Sequence, residues 1–146
     1  MTYKVFVDTN VILDIFLKRE PFFSDSQKVI LELAENNFVP YISGSSVTDL
    51  YYICKKSGME KDSILGKLEG LLKAFEVLII DKVSIYDAIS SGIRDFEDAV
   101  QIMACKNEKI DLIITRNKKD YNVDWTNIQL LKNFWLLFHR NTLIIS

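Results

Sequence analysis

The stretch YKVFVDTNVILDIF, residues 3–16, begins with β-branched and aromatic residues and passes into an apolar run suited to a buried helix. The change falls around Asp8 and Asn10, so a carboxylate and an amide stand where a strand gives way to a helix. The same alternation continues along the chain. Residues 24–36 carry Val29, Ile30, Leu33 and Ala34 at helical spacing, and 39–42 read as a short strand. Residues 45–56 and 61–74 read as helices parted by a Ser57-Gly58 break, and 75–80, apolar apart from Glu76, as a strand. Helices over 83–93 and 96–107, with short buried strands at 112–115 and 128–131, complete the pattern. Strands apolar on both faces, alternating with helices, specify an α/β fold: a central parallel sheet of about four to five strands covered by helices on both sides.

The chain of 146 residues, 49% hydrophobic, suits one compact domain over 1–146, with 132–146 as an apolar C-terminal extension. No basic-then-apolar leader opens it, and no apolar run approaches the roughly 20 residues of a membrane span, so a soluble, cytoplasmic protein is expected. Cys54 and Cys105 lack C-x-x-C spacing and a histidine cluster, which points to buried free thiols rather than zinc or a redox pair. A net charge of -2 excludes a basic coat for nucleic acid and leaves local basic patches open.

Open parallel sheets gather ligands beyond the carboxyl ends of their strands, and Asp8 falls at such an end. An aspartate there is also a favoured helix N-cap, and Asn10 is ordinary turn chemistry, so further acids must decide. VTDLYYI, residues 47–53, sets Asp49 in an apolar helix whose core contacts should be Val47, Leu50, Ile53 and Cys54; a carboxylate there is costly unless partnered. In DFEDAVQIMACKN, residues 95–107, helical phase at about 3.6 residues per turn separates the acids. Glu97 shares its side with Gln101 and Glu108 and should face solvent, whereas Asp98 lies beside Ile102 and Cys105. Asp95 reads as the N-cap. DLIITRNKKDY, residues 111–121, delivers Thr115, Asn117 and Asp120 to the same carboxyl edge.

In order and spacing these segments resemble the PIN-domain nucleases, in particular the VapC-type toxin branch. The matching pieces are FVDTNVILDIF, SSVTDLYYICKK, DFEDAVQIMACKN and IITRNKKDY, and the resemblance runs from residue 3 to about residue 131. It implies a metal-dependent endoribonuclease, the toxin of a toxin–antitoxin pair, whose acidic centre is carried by Asp8, Asp49 and Asp98 with Asn10 and Thr115 in support. Two positions depart from the family pattern. Asp49 stands where a glutamate is more usual, and Asn117 where a fourth aspartate is common; Asp120 is a candidate replacement for that acid.

Clustered carboxylates repel one another unless protons or a cation intervene, and an all-oxygen set favours Mg²⁺ or Mn²⁺ over zinc. Asp8 and Asp98 are the expected principal ligands, Asp49 a second-metal ligand or water-positioning base, and Asp120 an auxiliary, with Thr115 and Asn10 orienting carboxylates. Phosphate contacts are expected first from Arg116, then Lys118 and Lys119, with Lys18-Arg19 and Lys55-Lys56 as further clusters. RNA as the substrate follows from the resemblance. Two other readings remain: a PIN-like binding module without catalysis, supported by Asn117, and a receiver-like signalling domain with Asp81 as phosphoacceptor. The tail KNFWLLFHRNTLIIS, residues 132–146, is too short to span a bilayer and offers aromatic surface for core packing, a homodimer or an antitoxin helix.

Overall fold

The structure, a computed structural model, describes residues 2–115 and the backbone of a strand at 127–130. Its elements are β1 (Tyr3–Val7), α1 (Thr9–Phe16), α2 (Phe23–Glu35), β2 (Phe38–Ser43), α3 (Gly44–Lys56), α4 (Lys61–Ala74), β3 (Glu76–Leu78), α5 (Lys82–Ser90), α6 (Phe96–Asn107), β4 (Leu112–Thr115) and β5 (Asn127–Leu130). The strands form one parallel sheet in the order β3-β2-β1-β4-β5, so β1 lies in the middle. The expected α/β architecture is present, with five strands.

Side-chain alternation along the central strands divides the core between the two faces. Val5, Val7, Leu112 and Ile114 join Val11, Ile12, Val29, Leu33, Leu50 and Ile64 on one side, the side covered by α1, α2, α3 and α4. Phe6, Tyr41 and Ile113 meet Ile102, Ala104 and Cys105 of α6 on the other. Each fully buried Val, Leu, Ile or Phe contributes about 1.5–3 kcal/mol, so these two layers supply most of the driving force that holds the strand ends in place. Both cysteines are free and buried, and burial raises both thiols, Cys105 the more.

The apolar segment after Phe75 differs from its expected role. β3 is three residues long and lies at the edge of the sheet, with Glu76 and Val77 exposed. An apolar run specifies a strand but not whether a neighbour will cover it. Asp81 follows this edge strand and caps α5, its carboxylate accepting from Ser84 N and Ser84 Oγ, each at 2.9 Å. A receiver needs its phosphoacceptor at the end of a middle strand, so the topology overturns that reading. Among the described residues no helix is long and apolar enough to cross a membrane.

Candidate active site

Strand order reverses around β1, which has β2 on one side and β4 on the other; such a switch point opens a crevice at the carboxyl ends. Asp8 and Thr115 occupy that place. The Asp8 amide extends the ladder by donating to Ile114 O at 3.0 Å. Although Asp8 holds the N-cap position of α1, its side chain makes no capping bond. Its Oδ2 instead accepts from Thr115 Oγ1 at 2.9 Å. Thr115 is fully buried, so its hydroxyl is committed to a partner inside the fold.

α3 begins directly where β2 ends. Ser43 is both the last strand residue and the N-cap, its side chain accepting from Ser46 N at 3.2 Å. Ser46 Oγ then lies 2.6 Å from Thr9 Oγ1, drawing the start of α3 against the start of α1. Asp49 is one helical turn further along α3, and it is exposed. The expectation of a carboxylate inside an apolar face is therefore corrected. Leu50 and Cys54 take the core-facing positions and Asp49 stands beside them in solvent, at no desolvation cost.

α6 starts as expected, with the Asp95 carboxylate accepting from Asp98 N at 2.9 Å. Glu97 is exposed and Asp98 half-buried, while Ile102 and Cys105 are fully buried. Gln101 departs from expectation. Helical phase sets it with Glu97 towards solvent, yet it is only 6% exposed and its amide reaches Ser43 Oγ at 3.4 Å. The end of β2 covers this side of α6, a contact that helical phase alone does not reveal.

Asn10 is exposed, and its described side-chain contact is with Arg19 Nη2 at 3.4 Å rather than with a carboxylate. Arg19 itself is paired through Nε to Asp14 Oδ1 at 3.1 Å, which ties it into the fold rather than leaving it as a simple phosphate contact. Asp14, within the apolar run of α1, is fully buried and also accepts from Ser26 Oγ at 3.1 Å. An acid inside VILDIF was the available signal for this pair, and helical periodicity passed over it. Arg116, Asn117, Lys118, Lys119 and Asp120 lie outside the described residues, as does the tail at 132–146.

Among the described residues, no three His, Cys, Asp or Glu side chains form a ready-made metal cage. What the fold does supply is oxygen donors on separate elements: Asp8 just after β1, Asp49 on α3 and Asp98 in the first turn of α6. Cys105 is remote from that chemistry, being sealed in the core beside Phe6 and Ile113. An all-oxygen set suits Mg²⁺ or Mn²⁺ better than zinc.

A model of the PIN domain matches residues 4–119. The chain is similar to Ribonuclease VapC1 of Aquifex aeolicus, 31% identical over 126 residues that cover 83% of this chain and 86% of that protein. Its fold is similar to that in the structure of VapBC-1 from nontypeable Haemophilus influenzae, with TM-score 0.67 and 17% identity over 88% of this chain and 98% of that one. VapBC2 from Rickettsia felis, solved bound to a DNA fragment from their promoter, gives TM-score 0.66 and 17% identity over 87% of this chain and 98% of that one.

Proposed function

The chain belongs to the PIN-domain family, and from that membership we propose that it is a metal-dependent endoribonuclease, the toxin of a toxin–antitoxin pair. The observation that carries the proposal is the Asp8 carboxylate at the end of the central strand, withheld from helix capping and oriented by the Thr115 hydroxyl. Asp8 and Asp98 are assigned as principal ligands of Mg²⁺ or Mn²⁺. Asp49, exposed on α3, is assigned to holding a second ion or orienting the attacking water. An ion held by these carboxylates would lower the pKa of a bound water and offset charge on the phosphodiester transition state. Thr115 fixes the rotamer of Asp8, which preserves the reacting geometry. Asp120 as an auxiliary acid and Arg116, Lys118 and Lys119 as phosphate contacts complete the assignment on sequence grounds.

RNA as substrate is drawn from the ribonuclease relative, and an antitoxin partner from the toxin–antitoxin relatives. Val83, Tyr86 and Ile89, at 58%, 61% and 66% exposure, make an apolar stripe along α5 that supports a protein contact, including the proposed homodimer. Buried free thiols suit the proposed cytoplasmic location.

The test is incubation of the purified protein with total RNA, with chelator, Mg²⁺ or Mn²⁺, beside Asp8→Asn and Asp98→Asn. Metal-dependent cleavage lost in both variants supports the assignment. Equal cleavage by wild type and both variants rejects it, and Mn²⁺ and RNA binding without cleavage selects the inactive binding module.

A further inference from the structure

A chain of buried polar groups runs beneath the proposed acidic centre and takes no part in the roles above. It passes from Thr9 Oγ1 to Ser46 Oγ at 2.6 Å, from Ser46 Oγ to Ser43 Oγ at 2.8 Å, and ends where Gln101 Nε2 meets Ser43 Oγ at 3.4 Å. Ser43 and Ser46 are fully buried and Gln101 nearly so. The chain joins α1, α3, the end of β2 and α6. Each proposed acid is next to one of its members: Asp8 precedes Thr9, Asp49 is one turn beyond Ser46, and Asp98 is one turn before Gln101.

Donor counting fixes one end of the chain. A hydroxyl has one proton and two acceptor sites. Ser43 Oγ accepts from Gln101 Nε2 and from Ser46 N, which fills both sites and commits its own proton to donation. The nearer hydroxyl is Ser46 at 2.8 Å, against 3.0 Å for Ser45. Ser46 Oγ thus has Ser43 and Thr9 as its two hydroxyl partners, and Thr9 Oγ1 closes the chain one residue from Asp8. Aligned bonds of this kind polarise one another and rigidify the groups they connect.

We propose that Gln101 is a positioning residue: through Ser43, Ser46 and Thr9 it ties α6 to the starts of α3 and α1, and so holds the segments that carry Asp98, Asp49 and Asp8 in register with one another. This rests on the nuclease reading. A buried glutamine would otherwise be an expensive choice at a helix position that an apolar residue could fill.

Gln101→Met keeps the length of the side chain and removes the amide. The expected result is a folded protein with Mn²⁺ affinity and kcat each lowered about tenfold or more and KM for RNA unchanged. Wild-type Mn²⁺ affinity and kcat, with only a lowered melting temperature, overturn the proposal. Should Gln101→Met not fold, Thr9→Val at the other end takes its place, with the same expected losses and the same overturning result. If the wild type neither binds Mn²⁺ nor cleaves RNA, the nuclease reading fails by itself. The chain is then decided by a double-mutant cycle in urea unfolding: Gln101→Met and Thr9→Val should be non-additive, and additive losses overturn it.

Discussion

Thr115 Oγ1 donates to Asp8 Oδ2 at 2.9 Å, joining side chains 107 positions apart at the adjacent ends of β4 and β1. Thr115→Val keeps the branched shape and removes the donor. The expected cost in stability is about 1 kcal/mol, whereas Mn²⁺ affinity or cleavage should fall about 10- to 100-fold. Calorimetric titration with Mn²⁺ and an RNA cleavage assay check this. Wild-type values in both would reduce Thr115 to packing at a strand end.

Asp98 and Glu97 are adjacent acids in the first turn of α6 with different surroundings, half-buried and exposed respectively. At 100 times its dissociation constant, Mn²⁺ should stabilise the wild type by about 2.7 kcal/mol. Asp98→Asn should lose most of that gain and Glu97→Gln should keep it. Thermal melts in chelator and in Mn²⁺ read the difference. An equal Mn²⁺ gain in all three proteins would leave Asp98 as a first-turn acid that merely favours the helix dipole.

The Asp14–Arg19 pair predicts a stability effect away from the chemistry. Asp14 is fully buried, and the Arg19 side chain is 36% exposed. Removing one partner of a fully buried pair costs about 3–5 kcal/mol; solvent reaching Arg19 reduces the expectation for Arg19→Met to about 2–3 kcal/mol. Adding Asp14→Leu should recover part of the loss, because the carboxylate then goes too. Urea denaturation of the single and double variants measures both steps, and a double variant weaker than the single would contradict the charge account.

Asp81 supplies a pH dependence. Ser84 N–H, and secondly its hydroxyl, hold the Asp81 carboxylate charged and lower its pKa. The resulting stability is fully present above the unfolded value of about 3.9 and is lost as pH falls from there through the lower folded value. Asp81→Ala should therefore melt below wild type near neutrality, with the gap closing in acid. A gap that does not change with pH would assign the effect to packing.

Periodicity was enough to locate α4 and α6 and to separate Glu97 from Asp98, because those features depend on one helix and its own turns. It failed where the neighbour decides. Nothing within α6 indicates that Ser43 will cover Gln101, and in residues 75–80 Glu76 is the single sign that β3 is left at an edge. Asp49 departs from its expected burial for a related reason: Leu50 and Cys54 fix which side of α3 is buried, and one residue of phase puts Asp49 outside it. The Asp8–Thr115 contact was legible as two strand ends brought to one edge, although its hydrogen bond was not. The basic run from Arg116 to Lys119 and the auxiliary acid Asp120 rest on sequence alone.

β1 is hydrogen-bonded to β2 along one edge and β4 along the other, and Val5, Phe6 and Val7 are buried. In deuterated solvent each of its amides can exchange only when the ladder it belongs to opens, and parting the central strand from either neighbour is an event close in free energy to unfolding the domain. Asp8 hangs from this strand by its own amide bond to Ile114 O, so its backbone should be among the last to take up label. At the edge, β3 should label early. The carboxylate proposed to meet the substrate is thus anchored to the slowest clock in the molecule, and motions that admit or release a nucleic acid must come from the elements around it.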